Sequence, residues 1–219
     1  MFSQKIEKHK KKLKVNKEIR DIIVGTLLGD GTLETQNKGR TYRLKIEHSI
    51  KQKEYVDWLY SKLKDFVLTP PKKRLREKDG KKWWSYGFST ISVGNFRFFG
   101  QQFYDEKGKK RIPKIIKKLL TPRAMAIWFM DDGSSKSRKH KGFVIHTLGF
   151  SKRDLKRLQR VLKEKFGLES QLHRQNKYQK LRWRLYIPGS QRVKFLRLIQ
   201  PYLLPEFDYK LGPTQLPKK

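Results

Sequence analysis

One plan is written twice in this chain. The run Ile22-Ile23-Val24-Gly25-Thr26-Leu27-Leu28-Gly29-Asp30-Gly31 is answered in the second half by Ala124-Met125-Ala126-Ile127-Trp128-Phe129-Met130-Asp131-Asp132-Gly133. Each copy is an apolar stretch that closes on an acid followed by glycine, the pattern of a buried helix stopping at a glycine cap. A carboxylate in the last turn of a helix faces the negative end of the helix dipole, so it is electrostatically misplaced unless a cation lies near it. Two such misplacements point to a shared cation site. If the two helices pack side by side and parallel, Gly25 and Ala126 supply the small surfaces for close approach, and Asp30 and Asp132 become neighbours. A hard divalent ion such as Mg2+, which takes oxygen ligands, then relieves their repulsion. This is the arrangement that serves phosphodiester cleavage, where a metal polarises phosphorus-bound oxygens and stabilises the leaving oxygen. An ordinary Asp-Gly turn would explain one copy. Two copies, each after an apolar run, favour the chemical reading.

The charge balance agrees with a polyanionic partner. The 219 residues include 54 Lys plus Arg against 20 Asp plus Glu, a formal charge of +34, which implies DNA or RNA before any other ligand. A membrane surface is the weaker option, because the basic residues are spread over the chain and no long helix with a clean apolar face stands out. Composition alone would also suit a ribosomal protein. Cysteine is absent, which rules out a disulfide framework and a cysteine zinc site and is compatible with a reducing compartment. The segment MFSQKIEKHKKKLKV has no apolar core of signal-peptide length, so the expectation is an intracellular protein, in the cytoplasm or an organelle. Residues 1–15 read as a basic arm, either flexible on phosphates or a solvated charged lead-in.

Taken in order, Asn16 is a candidate N-cap, with Glu18 in the first turn, for a helix that runs to Asp30. Strands follow at 32–35 and 41–48. In the second of these Tyr42, Leu44 and Ile46 alternate with Arg43, Lys45 and Glu47, the period of a half-buried strand. Residues 49–66 form an amphipathic helix with Tyr55, Trp58, Leu59 and Leu63 inward. After Pro70-Pro71, Asp79-Gly80 marks the turn of a hairpin, and 95–104 forms a short aromatic helix. Residues 107–120 are a basic linker containing Ile112-Pro113. The plan then repeats from Pro122, with a strand at 143–148, a helix at 151–166, a hairpin at 171–187 and a helix from Ser190 to about Leu203.

The two motif segments resemble the paired motifs of the LAGLIDADG homing endonucleases, in the monomeric, two-motif branch of that family. The nonamers align as Ile23 to Gly31 and Met125 to Gly133, with the family's metal-binding acid falling on Asp30 and Asp132. Copy two departs from the pattern at Ile127, where a small residue is usual, and carries the extra acid Asp131. The resemblance runs from about residue 16 to 213 and implies an α+β fold: two pseudo-symmetric αββαββα halves with antiparallel saddle sheets and a central parallel pair of motif helices. The corresponding division is a basic arm at 1–15, a first repeat at 16–105, a linker at 106–120, a second repeat at 121–213 and a tail at 214–219.

The same resemblance implies a monomer that makes a Mg2+-dependent double-strand break in a long asymmetric DNA site, with Mn2+ as the expected substitute and short 3′ overhangs as product. Metal ligation is implied for Asp30 and Asp132, with Gly29 and Asp131 beside them. Lysines of the linker and the C-terminal Tyr-Lys-Leu match Lys110 and Lys210, positions suited to meeting charge on the phosphate or placing a water; phosphate clamps or plain surface charges fit them too. The alternative on the same fold is an intron maturase that holds RNA, or a binding protein that does not cut.

On the open sheet faces, rows of Arg, Lys and Gln suit a major groove, where Arg or Lys reads guanine and Gln reads adenine. The groove-facing candidates are Arg43, Lys45, Arg74, Arg76, Arg182 and Arg184. No other constellation competes. The histidines lack metal-ligand spacing, and Asp131-Asp132-Gly133 does not continue as a calcium loop.

Overall fold

The computed structural model describes residues 2–137, 140–177 and 180–212, and the chain divides into two compact units between Gln101 and Gln102. The first unit opens with α1 (Phe2–Lys12), α2 (Lys17–Leu28), β1 (Thr32–Glu34), β2 (Arg43–Ser49), α3 (Lys53–Leu63), β3 (Lys72–Lys78) and β4 (Lys81–Ser89), and ends in α4 (Arg97–Phe103), which crosses the boundary. The second holds α5 (Ile116–Leu119), α6 (Pro122–Asp132), β5 (Gly133–Ser137), β6 (His140–Ile145), α7 (Lys152–Phe166), β7 (Gln171–Lys177), β8 (Lys180–Ile187) and α8 (Arg192–Ile199). Both sheets are four-stranded and antiparallel, in the orders β1-β2-β4-β3 and β5-β6-β8-β7. The repeated helix–hairpin plan expected from the sequence is therefore present as a repeated sheet topology.

Alternation decides which face of each sheet is covered. On β2, Leu44, Ile46 and His48 are buried while Arg43, Lys45 and Glu47 stay half exposed. Against the covered side α3 lays Tyr55, Val56, Leu59 and Leu63, all fully buried, and Phe66 stacks on Phe96 at 5.2 Å between ring centroids. In the second unit Phe129 of α6, Phe143 of β6 and Phe195 of α8 meet with centroids 5.3–5.5 Å apart. Each such buried ring contributes about 2–3 kcal/mol of transfer free energy. The β3–β4 hairpin turns as its dipeptide predicts, with Asp79 and Gly80 both at positive φ (51° and 72°), the backbone of a type I′ turn.

In the basic segment expected at 1–15, α1 occupies most of the described part, His9 Nε2 lies 2.7 Å from the Asp65 carbonyl, Asn95 donates to the Leu13 carbonyl, and Leu13 is buried. Two local expectations are corrected. The first motif helix ends at Leu28 with Gly29 as its cap, leaving Asp30 beyond it. The strand expected at 143–148 is β6, ending at Ile145, because the chain turns at Thr147. The expected tail at 214–219 lies outside the described residues.

Candidate active site and nucleic-acid interface

In the first unit the site begins at the end of α2. Asn16 accepts from the Ile19 amide at 2.9 Å, so the cap is the one the sequence suggests, and Ile22, Ile23, Val24, Leu27 and Leu28 are buried along the helix. The chain then folds back over the last turn. The Gly29 amide donates to the Gly25 carbonyl (3.1 Å) and the Gly31 amide to the Thr26 carbonyl (2.8 Å). A Cβ on Gly31 would stand 2.8 Å from Thr26 Cβ, so only glycine lets the backbone pass this close.

The turn delivers Asp30 to the edge of the sheet with its side chain 52% exposed, its Oδ2 3.6 Å from Nδ1 of the buried His48. Sequence reading passed over His48, because histidine spacing carries no signal here. The juxtaposition arises because β1 and β2 pair antiparallel, which brings the turn before β1 beside the far end of β2. An edge-on contact with Tyr55, 5.2 Å between centroids, fixes the imidazole. Asp30, Thr32, Lys45, Glu47, His48 and Arg76 line a hollow of about 520 Å³ on the open side of this sheet.

Glu47 is the electrostatic hub of that hollow. Arg76 donates to it twice, Nε to Oε1 at 2.5 Å and a terminal nitrogen to Oε2 at 2.6 Å, and Ser85 adds a third donor at 2.7 Å. The Arg76 hydrogen bonds, against an opposing desolvation cost and with further help from Ser85, hold the Glu47 carboxyl down to about 2. Lys45 and Arg74 stand 3.8 and 3.7 Å from the same carboxylate, and Arg43 pairs with Glu34 at 2.8 Å. The four candidate groove cations of this unit are thus tied to two acids that sequence reading did not single out as partners.

In the second unit α6 starts from Thr121, whose hydroxyl accepts from the Ala124 amide with Pro122 at the first turn, where its missing donor does no harm. Residues 124–130 are buried, and Asp131 and Asp132 close the helix half exposed. A Cβ on Gly133 would lie 2.1 Å from the Phe129 ring. The buried Lys210 ammonium donates to the Met130 carbonyl and, at 3.1 Å, to the Asp131 carbonyl. This is a cation at the negative end of the helix, satisfying carbonyls that the helix itself leaves open.

Lys110 is half buried, in a backbone bridge with Tyr104, beside a tight turn in which Asp105 accepts from the Lys107 and Lys109 amides. On β8, Arg182 and Arg184 face Gln175 and His173 of β7. Tyr186 stacks on His173 at 4.4 Å, and burial first, then Lys136 and Arg184, pushes the His173 imidazole down.

Residues 20–195 match the family described as LAGLIDADG DNA endonuclease. The chain belongs to that family. Among similar proteins, the probable intron-encoded endonuclease 1 of Wickerhamomyces canadensis is 29% identical over 95% of this chain and 90% of its own length. A cytochrome b mRNA maturase bI2 of Saccharomyces cerevisiae is 30% identical over 90% of this chain and 48% of its own length. Among solved structures, the homing endonuclease I-WcaI bound to its DNA recognition sequence superposes with a TM-score of 0.84 at 28% identity, covering 94% of this chain and 91% of that one. The endonuclease I-DmoI, at 17% identity and a TM-score of 0.51, shares the fold.

This LAGLIDADG protein is accordingly a DNA endonuclease built from two α+β units in one chain. Among the described residues no helix is long and apolar enough to cross a membrane.

Proposed function

We propose that the chain makes a Mg2+-dependent double-strand break, with Asp30 serving one strand and Asp132 the other. One observation carries the reading: in each unit an acid stands at or just past the end of a buried motif helix, at the entry to the first strand of a sheet with the same strand order. The donors present suit a hard divalent ion, with exposed or half-exposed carboxylates on Asp30, Asp131 and Asp132 and the Gly29 carbonyl beside the first. When bound, the ion would polarise a phosphate oxygen and acidify a water.

The chain's own residues do the rest. His48 steadies the Asp30 carboxylate, Lys210 holds the end of α6 so that its acids keep their place, and Lys110 meets charge developing on the phosphate. Arg43, Lys45, Arg74, Arg76, Arg182 and Arg184 would set register on the duplex and read its bases.

The test begins with sites selected by cleavage from a randomised plasmid library. Supercoiled plasmid carrying such a site should become linear with Mg2+ or Mn2+ and stay intact with EDTA. Asp30→Asn should abolish linearisation while DNA binding persists. Loss of binding in that variant would make Asp30 structural and end the proposal.

A second reading is favoured by the maturase names among the relatives, at 28–30% identity over 90% of this chain. In that reading an intron RNA is a further partner. Splicing of a host intron with and without the protein tests it.

A further inference from the structure

α7 carries a charge pattern that helix stability does not explain. Its buried side is Leu155, Leu158, Val161 and Leu162. Its outer side presents Lys152, Arg153, Lys156, Arg157 and Arg160, which by themselves line a hollow of about 590 Å³. Lys152 and Arg153 stand in the first turn, against the positive end of the helix dipole, where a cation is unfavourable. Arg157 is used internally, donating to the Ile112 carbonyl (2.8 Å) and to Asp154 (3.0 Å). Among the described residues the other four have no ion-pair partner, and the acid nearest Arg160, Glu164, is taken by Lys117 at 2.8 Å.

This cluster is on the opposite side of the second sheet from the candidate groove residues. Lys152 Nζ sits 4.1 Å from the Trp183 ring centroid. Trp183 alternates on β8 with Arg182 and Arg184, so it points to the covered side with Leu185 and Ile187. A duplex lying on the open face of this sheet therefore leaves the α7 cations free for a second phosphate backbone.

We propose that the outer face of α7 is a second nucleic-acid site, for double-helical RNA. The free row is Lys and Arg alone on an exposed helix face, and such side chains make the charge contacts that a phosphate backbone accepts. Lys152, Lys156 and Arg160 recur every four residues, about 6 Å apart along the axis, which suits the short phosphate spacing of a C3′-endo strand. A-form RNA is recognised through such phosphate and shape contacts. The site stands apart from the proposed cleavage centre and does not depend on it.

The experiment uses the full chain with Lys152→Gln, Arg153→Gln, Lys156→Gln and Arg160→Gln combined, beside a sheet variant carrying Arg182→Gln and Arg184→Gln. The probes are an RNA duplex of about 16 base pairs, the length a minor-groove reader spans, and a DNA duplex of the same sequence. Lys152 and Arg153 oppose the helix dipole and Lys156 and Arg160 are exposed, so the α7 variant gives up only the Lys152 contact with the Trp183 ring and should melt close to wild type. It should lose RNA affinity by about tenfold or more and shed about three from its log–log salt slope. DNA affinity should stay within about twofold of wild type, and prebound DNA should not displace the RNA. Unchanged RNA affinity, equal losses for RNA and DNA, or loss of RNA in the sheet variant alone would each overturn the proposal. Plasmid cleavage, followed in parallel, reports on the nuclease reading separately.

Discussion

On the open face of the first sheet Arg43, Lys45, Arg74 and Arg76 all stand within ion-pair distance of Glu34 or Glu47, whereas Arg182 and Arg184 of the second sheet have no carboxylate partner among the described residues. The helix ends differ in the same sense. Asp30 stands 3.6 Å from the imidazole of His48, while the end of α6 is held by the ammonium of Lys210. Strand order is common to both units, so the backbone plan does not dictate how charge is arranged upon it. The first unit holds its cations in preset positions before any ligand arrives. The second keeps them unpaired, which suits adaptable phosphate contact.

The sharpest way to break this comparison is to ask whether the two acids are equivalent. Asp30→Asn and Asp132→Asn should each reduce double-strand cleavage by about a thousandfold or more, measured as linear plasmid, with DNA retained in filter binding. Normal cleavage by Asp132→Asn with failure of Asp131→Asn would move the second acid by one position.

Next in size is the packing contrast. Gly133→Ala should destabilise the protein by about 3 kcal/mol, because the new methyl overlaps the Phe129 ring in a close-packed cluster. Gly31→Ala, whose clash is with Thr26, should cost about 1–2 kcal/mol. Chemical denaturation measures both, and a larger cost at Gly31 would reverse the ranking.

Glu47 sharpens the electrostatic half of the comparison. Its carboxyl is held at about 2 against an ordinary 4.5, so its contribution to stability is present above the ordinary value and is lost as pH falls from there toward the lower one. Thermal melts between those values should show wild type losing about 1–2 kcal/mol that Glu47→Gln never had, a figure reduced for partial exposure. Parallel melting curves would contradict it.

Smallest is the contrast between free and tethered cations. Arg182→Ala should weaken DNA binding by about 1–3 kcal/mol at one base position if it reads guanine. Arg43→Ala, which also releases Glu34 to repel phosphate, should weaken all sequences alike.

Much of this was legible in the sequence because it rests on local chemistry. Asn16 caps its helix through a side chain three residues from its partner, Asp79-Gly80 sets its own turn, and the alternation along β2 names the covered face. The parts that escaped depend on pairing distant segments. Nothing near Glu47 announces Arg76 on another strand, and His48 meets Asp30 only after β1 lies along β2. The helix at Phe2–Lys12 was hidden by its lysines, since its attachment runs through His9, Leu13 and single carbonyls instead of a broad apolar stripe.

The joint between α6 and β5 has no connecting residue: Asp132 ends the helix and Gly133 begins the strand, whereas Gly29, Asp30 and Gly31 separate α2 from β1. A drifting gene can therefore edit the two crossings with unequal freedom. One inserted codon in the first can be absorbed by a short loop. One inserted codon in the second rotates the acid about the helix axis or slides the strand by a residue, turning every side chain on it to the wrong face. Relatives built on this repeated plan should collect length changes at the first crossing and almost none at the second.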